Sequence, residues 1–421
     1  MVDSTDTSRD AASRPPLSTF LPPLILGTAT FNTQYVSDPH AMPYRDIVAR
    51  ALELGVNAFD TSPYYGPSET LLGSALSQLS PPRSSYTLIT KAGRIAPEVF
   101  DYSPAHIRYS VLRSLERLHT PYLDLVYTHD AEFAQPSEVV DAVRELRRLR
   151  DEEGIIRYVG ISGFPIDVLC NLAELVLAET GEPLDAVLSY GHFTVQNRQL
   201  GLPLVDGGGY SDSNSPLPRF KAAGVGVVLN ASILGMGLLT SRGIPADPEP
   251  SAEGVGGSPL AKWHPSPPEL RRACKRLADI AGAAGERLES VAIRWALEEW
   301  ARIGATAGFG VQVGSRKVGA TVCGVTAISE LEETVKEWRD VLSNLEGQDS
   351  DATSPAAERR DKILGMVREK MWPALGSWKE YVWTSPGEGY VNKRRPEDRG
   401  VVPDDGIIAA YEQRKAAKQS L

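Results

Sequence analysis

Short apolar or β-branched runs alternate along the chain with longer segments in which apolar residues recur every third or fourth position. LILGT is followed by AMPYRDIVARALELG, VNAFDT by GPSETLLGSALSQL, and YTLITK by SPAHIRYSVLRSLERLH. Short runs of β-formers between turn residues specify buried strands, and the helical period specifies amphipathic helices packed on them. Ser103 followed by Pro104 marks a helix start, because a proline in the first turn gives up no intrahelical hydrogen bond. The pattern predicts strands at 24–28, 56–60, 86–90, 123–129, 156–161, 185–190, 225–231 and 320–324, with helices that include 137–152, 165–180 and a long region at 269–298.

Eight such units predict an α/β fold, a closed (β/α)8 TIM barrel with insertions and a C-terminal extension. The rival is an open doubly wound sheet, but no strand is followed by G-x-G-x-x-G: GVGVVL lies within a strand, and GFGVQVG has the wrong spacing. The expected organisation is a disordered N-terminal arm at 1–21, the barrel at 22–345, a polar linker at 346–360, and an extension at 361–421. The aromatics of MWPALGSW and KEYVW pack that extension on the barrel. Insertions are expected at 244–268, which is rich in Pro and Gly, and at 300–319.

Charge and cysteine content narrow the function classes. With 44 Lys+Arg against 54 Asp+Glu the net charge is -10, which argues against a nucleic-acid partner. Cys170, Cys274 and Cys323 are scattered and form no C-x-x-C pair, so a reducing, cytoplasmic setting is expected, with neither a disulfide framework nor a zinc site. The N-terminus lacks the basic and apolar regions of a signal peptide, and no long apolar run predicts a membrane span. No feature of the pattern fixes an oligomeric state.

In a parallel barrel the chemistry sits where strands run out. Strand 2 ends at Asp60, strand 3 at Lys91 and strand 4 at His129, while the tight connection FDTSPYYGPSE brings Tyr65 back over its own strand end. Singly, Asp60 reads as a helix cap, Lys91 as a solvated lysine, His129 as a satisfied polar group and Tyr65 as a packing aromatic. Their convergence at consecutive strand ends favours chemistry. A lysine beside the tyrosine is expected to lower the phenol pKa from about 10, with Asp60 holding the cation in place. Tyr65 would then exchange a proton while His129 orients a carbonyl or alcohol oxygen, which suits hydride transfer with a nicotinamide. A metal-dependent hydrolase using Asp60, Lys91 and His129 is the catalytic rival, but H-x-H and H-E-x-x-H are missing.

FDTSPYYG, ITK and YTHD together resemble the aldo-keto reductase family, over roughly residues 22–345. The resemblance implies a catalytic tetrad of Asp60, Tyr65, Lys91 and His129, with Tyr65 as acid/base. YVGISGF resembles the segment that contacts the nicotinamide carboxamide, which implies a role for Ser162, with Gly163 standing where an Asn is usual. Ser189 takes the place of a frequent Gln, and Ala231 that of the aromatic that stacks on the nicotinamide. NASILGMGLLT resembles the pyrophosphate loop, implying contacts from Ser232, Leu234 and Gly237, and CGVTAISELEETVKEW resembles the adenosine segment, implying Gly324, Glu330 and Glu333. Gly27 joins the implied cofactor set.

Gly324 and Glu330 stand where NADP-dependent members tend to carry Lys and Arg, so NAD is expected ahead of NADP, a carboxylate suiting a free ribose hydroxyl. LSYGHFTVQN with NASILGMGLLT resembles the aldose dehydrogenase branch typified by D-arabinose and L-galactose dehydrogenases. That implies oxidation of a free sugar to its aldonolactone. The alternatives are a broad NADPH-dependent aldehyde or ketone reductase, and a cofactor-binding regulatory subunit like the potassium-channel β-subunits of the same fold.

Overall fold

The structure is a computed structural model and describes residues 14–202, 214–245, 259–346 and 355–419. Eight parallel strands form its centre: β1 (Leu24–Gly27), β2 (Ala58–Asp60), β3 (Thr87–Ala92), β4 (Leu123–Thr128), β5 (Ile156–Gly163), β6 (Ala186–Tyr190), β7 (Val227–Ala231) and β8 (Ala320–Gly324). They hydrogen-bond in a closed ring ordered β1-β8-β7-β6-β5-β4-β3-β2. The seam between β1 and β8 is in register with Gly27 beside Gly324. Every residue of β3 and of β4 is buried, because inward side chains fill the barrel and outward ones meet helices, which is why these strands read as near-continuous apolar runs.

Helices follow the strands on the outside. Ser103 caps Pro104–Arg117 by accepting the His106 N–H at 3.4 Å. The region expected as one helix at 269–298 is two, Pro268–Ala283 and Leu288–Thr306. Gly285, at φ +74°, breaks the run, and the 281–287 sequence is too small and polar to carry an apolar face through it. The segment at 300–319 is the end of the second helix and a hairpin pairing Val311–Val313 with Arg316–Val318. Strand β5 runs two residues further than its sequence pattern, which puts Ser162 and Gly163 on the strand.

Residues 14–21 depart from the expected disordered arm. Leu17–Phe20 is a helical turn whose Leu17 is buried along with Leu21, and Pro15 accepts a hydrogen bond from the Tyr158 hydroxyl at 2.7 Å. Residues 1–13, and 246–258 of the insertion expected at 244–268, lie outside the described residues. So do 347–354 of the expected linker, whose remaining residues 355–360 open the helix Pro355–Met366.

Beyond that helix the chain passes over the C-terminal ends of the barrel strands. Gln196 donates to the carbonyls of Trp378 and Tyr381, and Asn392 exchanges hydrogen bonds with the Phe100 backbone. A last helix, Ile407–Gln419, settles against Pro104–Arg117, where Tyr109 donates to Asp405 at 2.8 Å. Among the described residues no helix is long and apolar enough to cross a membrane.

Candidate active site

The turn after β2 explains the position of Tyr65. Tyr65 N–H donates to Ser62 O and Ser68 N–H to Tyr65 O, both at 3.1 Å, and Gly66 sits at φ +56°. Two tight turns in succession fold the phenol back over the mouth before the helix Ser68–Leu79 begins. Asp60 ends β2, Lys91 lies on β3 and His129 follows β4, so three neighbouring strands deliver three buried polar side chains to one place.

Lys91 Nζ donates to Asp60 Oδ1 at 2.5 Å and to Thr61 O at 2.9 Å. It lies 4.9 Å from the centre of the Tyr65 ring. The His129 ring stands edge-on to Tyr65, centroids 5.5 Å apart. All four tetrad residues therefore come together, with Tyr65 retaining partial exposure while the other three are buried.

The electrostatics differ from expectation at Tyr65. Its phenol is held well above the ordinary value, first by burial, then by the charges of Asp60 and Asp130, with Arg94 opposing. The Lys91 ammonium is engaged by Asp60 and stands over the ring face, so it does not bring the phenol down. Burial also raises the Asp60 carboxyl despite Lys91. His129 is pushed down to about 3 by burial, with Lys91 and Arg94 adding to the effect against Asp130, so its imidazole is neutral at ordinary pH.

Four residues that sequence reasoning passed over complete the cluster. Asp130 follows His129 in the left-handed region, at φ +53°, and forms an ion pair with Arg94. Arg94 also donates to the Tyr64 hydroxyl at 3.1 Å and lies 3.8 Å above the Tyr64 ring. Ser62 Oγ lies 2.9 Å from His129 Nδ1. Ser62, Tyr64 and Asp130 stand inside DTSPYYG and YTHD; Arg94 carries no local signal.

The residues expected at a cofactor fall around the same mouth. Ser162 Oγ donates to Thr128 O at 3.1 Å, and Ser189 Oγ lies 3.2 Å from His192 Nδ1. In the loop after β7, Ser232, Gly235, Met236 and Gly237 all have positive φ, and the Gly235 and Gly237 N–H groups turn back onto Ser232 O at 2.7 Å and Leu234 O at 3.1 Å. A Cβ on Gly237 would stand 2.5 Å from Leu260, so glycine lets the 259–264 segment close on this loop. Gly27 and Gly324 have packing roles, since a Cβ would press on Val322 in the first case and on Thr30 in the second, each at 2.9 Å. Glu330 Oε2 accepts from Thr326 N at 2.7 Å and from Thr326 Oγ1 at 3.0 Å, while Glu333 is paired with Arg287 and Ser290. The buried oxygens Asp60 Oδ2 and Asn230 Oδ1 have no hydrogen-bond partner among the described residues. Serine hydroxyls at the strand ends, a glycine-bearing loop after β7 and an exposed carboxylate after β8 offer hydrogen-bond donors and acceptors of the kinds that a nicotinamide dinucleotide takes.

Aromatic rings from four segments rim the mouth. Trp383 of the extension stacks on Phe164 at 4.7 Å and meets His264 edge-on at 5.3 Å. His264 contacts Trp263, which contacts Tyr35 in the loop after β1 and donates to Gln34 O at 2.8 Å. Burial raises the Tyr35 phenol, with Tyr65 adding to the effect.

Residues 23–353 match the model of the Aldo/keto reductase family. The chain is 39% identical to the D-arabinose 1-dehydrogenase of Saccharomyces cerevisiae over 326 residues, spanning 76% of this chain and 84% of that one. It is 33% identical to the L-galactose dehydrogenase of Arabidopsis thaliana over 330 residues, 78% of this chain and 86% of the relative. The fold is similar to that of a glycerol dehydrogenase from Gluconobacter oxydans, with a TM-score of 0.52 at 22% identity, covering 84% of this chain and 94% of that one.

Proposed function

The chain belongs to the aldo/keto reductase family of oxidoreductases, and from that premise we propose that it is an NAD-dependent aldose 1-dehydrogenase. Its substrate is a free sugar of the D-arabinose, L-galactose or L-fucose kind, oxidised at the anomeric carbon to the aldonolactone. The observation that carries the reading is the assembly of Tyr65, Lys91, Asp60 and His129 at one end of the barrel. The names of the two curated relatives support the sugar class.

When bound, a nicotinamide accepts the hydride from the anomeric carbon. Ser162 and Ser189 would hold its carboxamide, and the loop that contains Ser232, Leu234 and Gly237 would hold the pyrophosphate. Tyr65, once deprotonated to the phenolate, takes the anomeric hydroxyl proton and returns to the neutral phenol that its raised pKa favours, while the neutral His129 hydrogen-bonds the same oxygen. Lys91, anchored by Asp60, keeps the Asp60 carboxylate paired beside the Tyr65 ring and so limits the negative field around the phenol. Glu330 keeps one carboxylate oxygen clear of its Thr326 cap, which suits a ribose hydroxyl and repels a 2′-phosphate, and this supports NAD.

One observation favours a second reading, carbonyl reduction with NADPH. The raised Tyr65 phenol is a proton donor at rest, as reduction requires. NADH formation followed across a panel of aldoses, with NADP in parallel, separates the two. Turnover confined to NADPH and simple aldehydes would sink the sugar dehydrogenase.

A further inference from the structure

His129 has a different partner on each ring nitrogen. Ser62 Oγ lies 2.9 Å from Nδ1, and Asp130 Oδ2 lies 3.7 Å from Nε2. A neutral imidazole carries one proton, and what surrounds the two nitrogens decides where it sits. Ser62 Oγ already accepts the Tyr64 N–H at 3.1 Å. Its own hydrogen is free to donate to Nδ1, leaving the ring proton for Nε2. A carboxylate near Nε2 pulls the same way, since it favours the positive end of an N–H dipole. At 3.7 Å that contact is too long for a hydrogen bond, so the Nε2–H remains available to another acceptor.

Asp130 is built to stay charged and in place. It is buried, and its Oδ2 is paired with Arg94. Its backbone is left-handed, a conformation unfavourable for a residue with a Cβ that the Arg94 pair helps to hold. Arg94 reaches Tyr64 as well, and the Tyr64 N–H in turn occupies Ser62, so one connected network touches both sides of the imidazole.

Building on the reading of His129 as the group that meets the substrate oxygen, we propose that Ser62 and Asp130 are positioning residues that fix His129 as its Nε2–H tautomer. The ring then presents a hydrogen-bond donor, rather than a lone pair, to the carbonyl or hydroxyl oxygen of the substrate. Arg94 serves the same end by holding the carboxylate ionised beside Nε2.

Long-range proton–nitrogen NMR on the full chain with isotope-labelled histidine reads the tautomer directly, and His129→Gln assigns the signal. The expected wild-type pattern at neutral pH is Nε2–H. Ser62→Ala is expected to give a mixture of tautomers and to lower kcat about tenfold, with cofactor affinity unchanged. Ser62→Thr, which keeps the hydroxyl, should restore both. Asp130→Asn should shift the population the same way, and where that variant does not fold, Arg94→Gln tests the carboxylate instead. An Nδ1–H pattern in the wild type, or a pure Nε2–H pattern in both Ser62→Ala and the carboxylate variant, overturns the proposal. Because the spectrum needs no turnover, a wrong substrate assignment would leave this result standing.

Discussion

The His129 and Tyr65 rings meet at right angles, with an interplanar angle of 89° and centroids 5.5 Å apart. Both that contact and the Lys91 contact are made to the ring of Tyr65, so Tyr65→Phe leaves them in place and removes only the hydroxyl. Turnover is expected to fall by about 10²- to 10⁴-fold, the range for loss of a general acid or base. Cofactor affinity, followed by nicotinamide fluorescence, should stay within about twofold. Turnover close to wild type in this variant would remove Tyr65 from the chemistry.

Lys91→Met tests the pair beneath. Asp60 Oδ2 has no partner among the described residues, so losing Lys91 leaves a buried carboxylate supported on neither oxygen by a cation. Breaking such a pair costs about 3–5 kcal/mol. Asp60→Asn added to Lys91→Met should recover part of that loss, which urea unfolding at neutral pH measures. If the single and double variants unfold at the same urea concentration, a carboxylate left without its cation is not the source of the loss.

The barrel was legible because its strands are buried on both faces and so appear as apolar runs, and Asp60, Lys91 and His129 were legible because strand ends fix where side chains go. The direction of the Tyr65 shift was not. It comes first from burial, then from Asp60 and from Asp130, which reaches the phenol from the end of another strand with Arg94 opposing, and no periodicity records that meeting. The same holds for Trp383, whose contact with Phe164 joins positions more than two hundred residues apart. The helix break was a matter of local chemistry that the run of small residues concealed. Glu330 and Glu333 show the opposite limit, since each was read for a ligand and each also has a partner within the protein.

Trp383→Ala opens the aromatic rim without touching the tetrad. A stacked aromatic pair contributes about 0.5–1.5 kcal/mol beyond its buried area, so the rim should loosen while the barrel keeps its stability. KM for the preferred sugar is expected to rise several-fold with kcat within about twofold. Loss of kcat at constant KM would mean that Trp383 acts on the chemistry rather than on the mouth.

Glu132 gives the fold a pH dependence. Burial, with Asp130 adding to it, pushes the carboxyl from 4.5 up to about 8, while Phe164 N–H and Ser385 Oγ donate to Oε1. A carboxyl raised in the folded state is ionised in the unfolded chain first. Between pH about 4.5 and about 8 the unfolded state therefore binds fewer protons, and stability falls as pH rises. Glu132→Gln should flatten that fall, seen as a smaller change in urea midpoint across the window. An unchanged slope would mean that Glu132 is ionised in the folded protein.

Cofactor choice is tested at Glu330. Its Oε2 caps the start of the helix Ile328–Glu346 through Thr326, so a substitution there changes both charge and cap. Glu330→Gln retains an acceptor for the cap and removes the charge; Glu330→Arg removes the cap and introduces a cation. Lysine at Gly324 is a poorer probe, because its Cβ would press on Thr30. A charge-assisted contact contributes roughly 1.5–3 kcal/mol, and about 1.4 kcal/mol is tenfold. Glu330→Arg should therefore move the NADP to NAD ratio of kcat/KM by at least about tenfold, and Glu330→Gln by less. Glu330 is exposed, so the shift should shrink as salt is added. The Arg variant alone should also lose about 1 kcal/mol of stability with the cap. If both variants keep the wild-type ratio while only Glu330→Arg loses stability, the carboxylate is a helix cap and does not read the ribose.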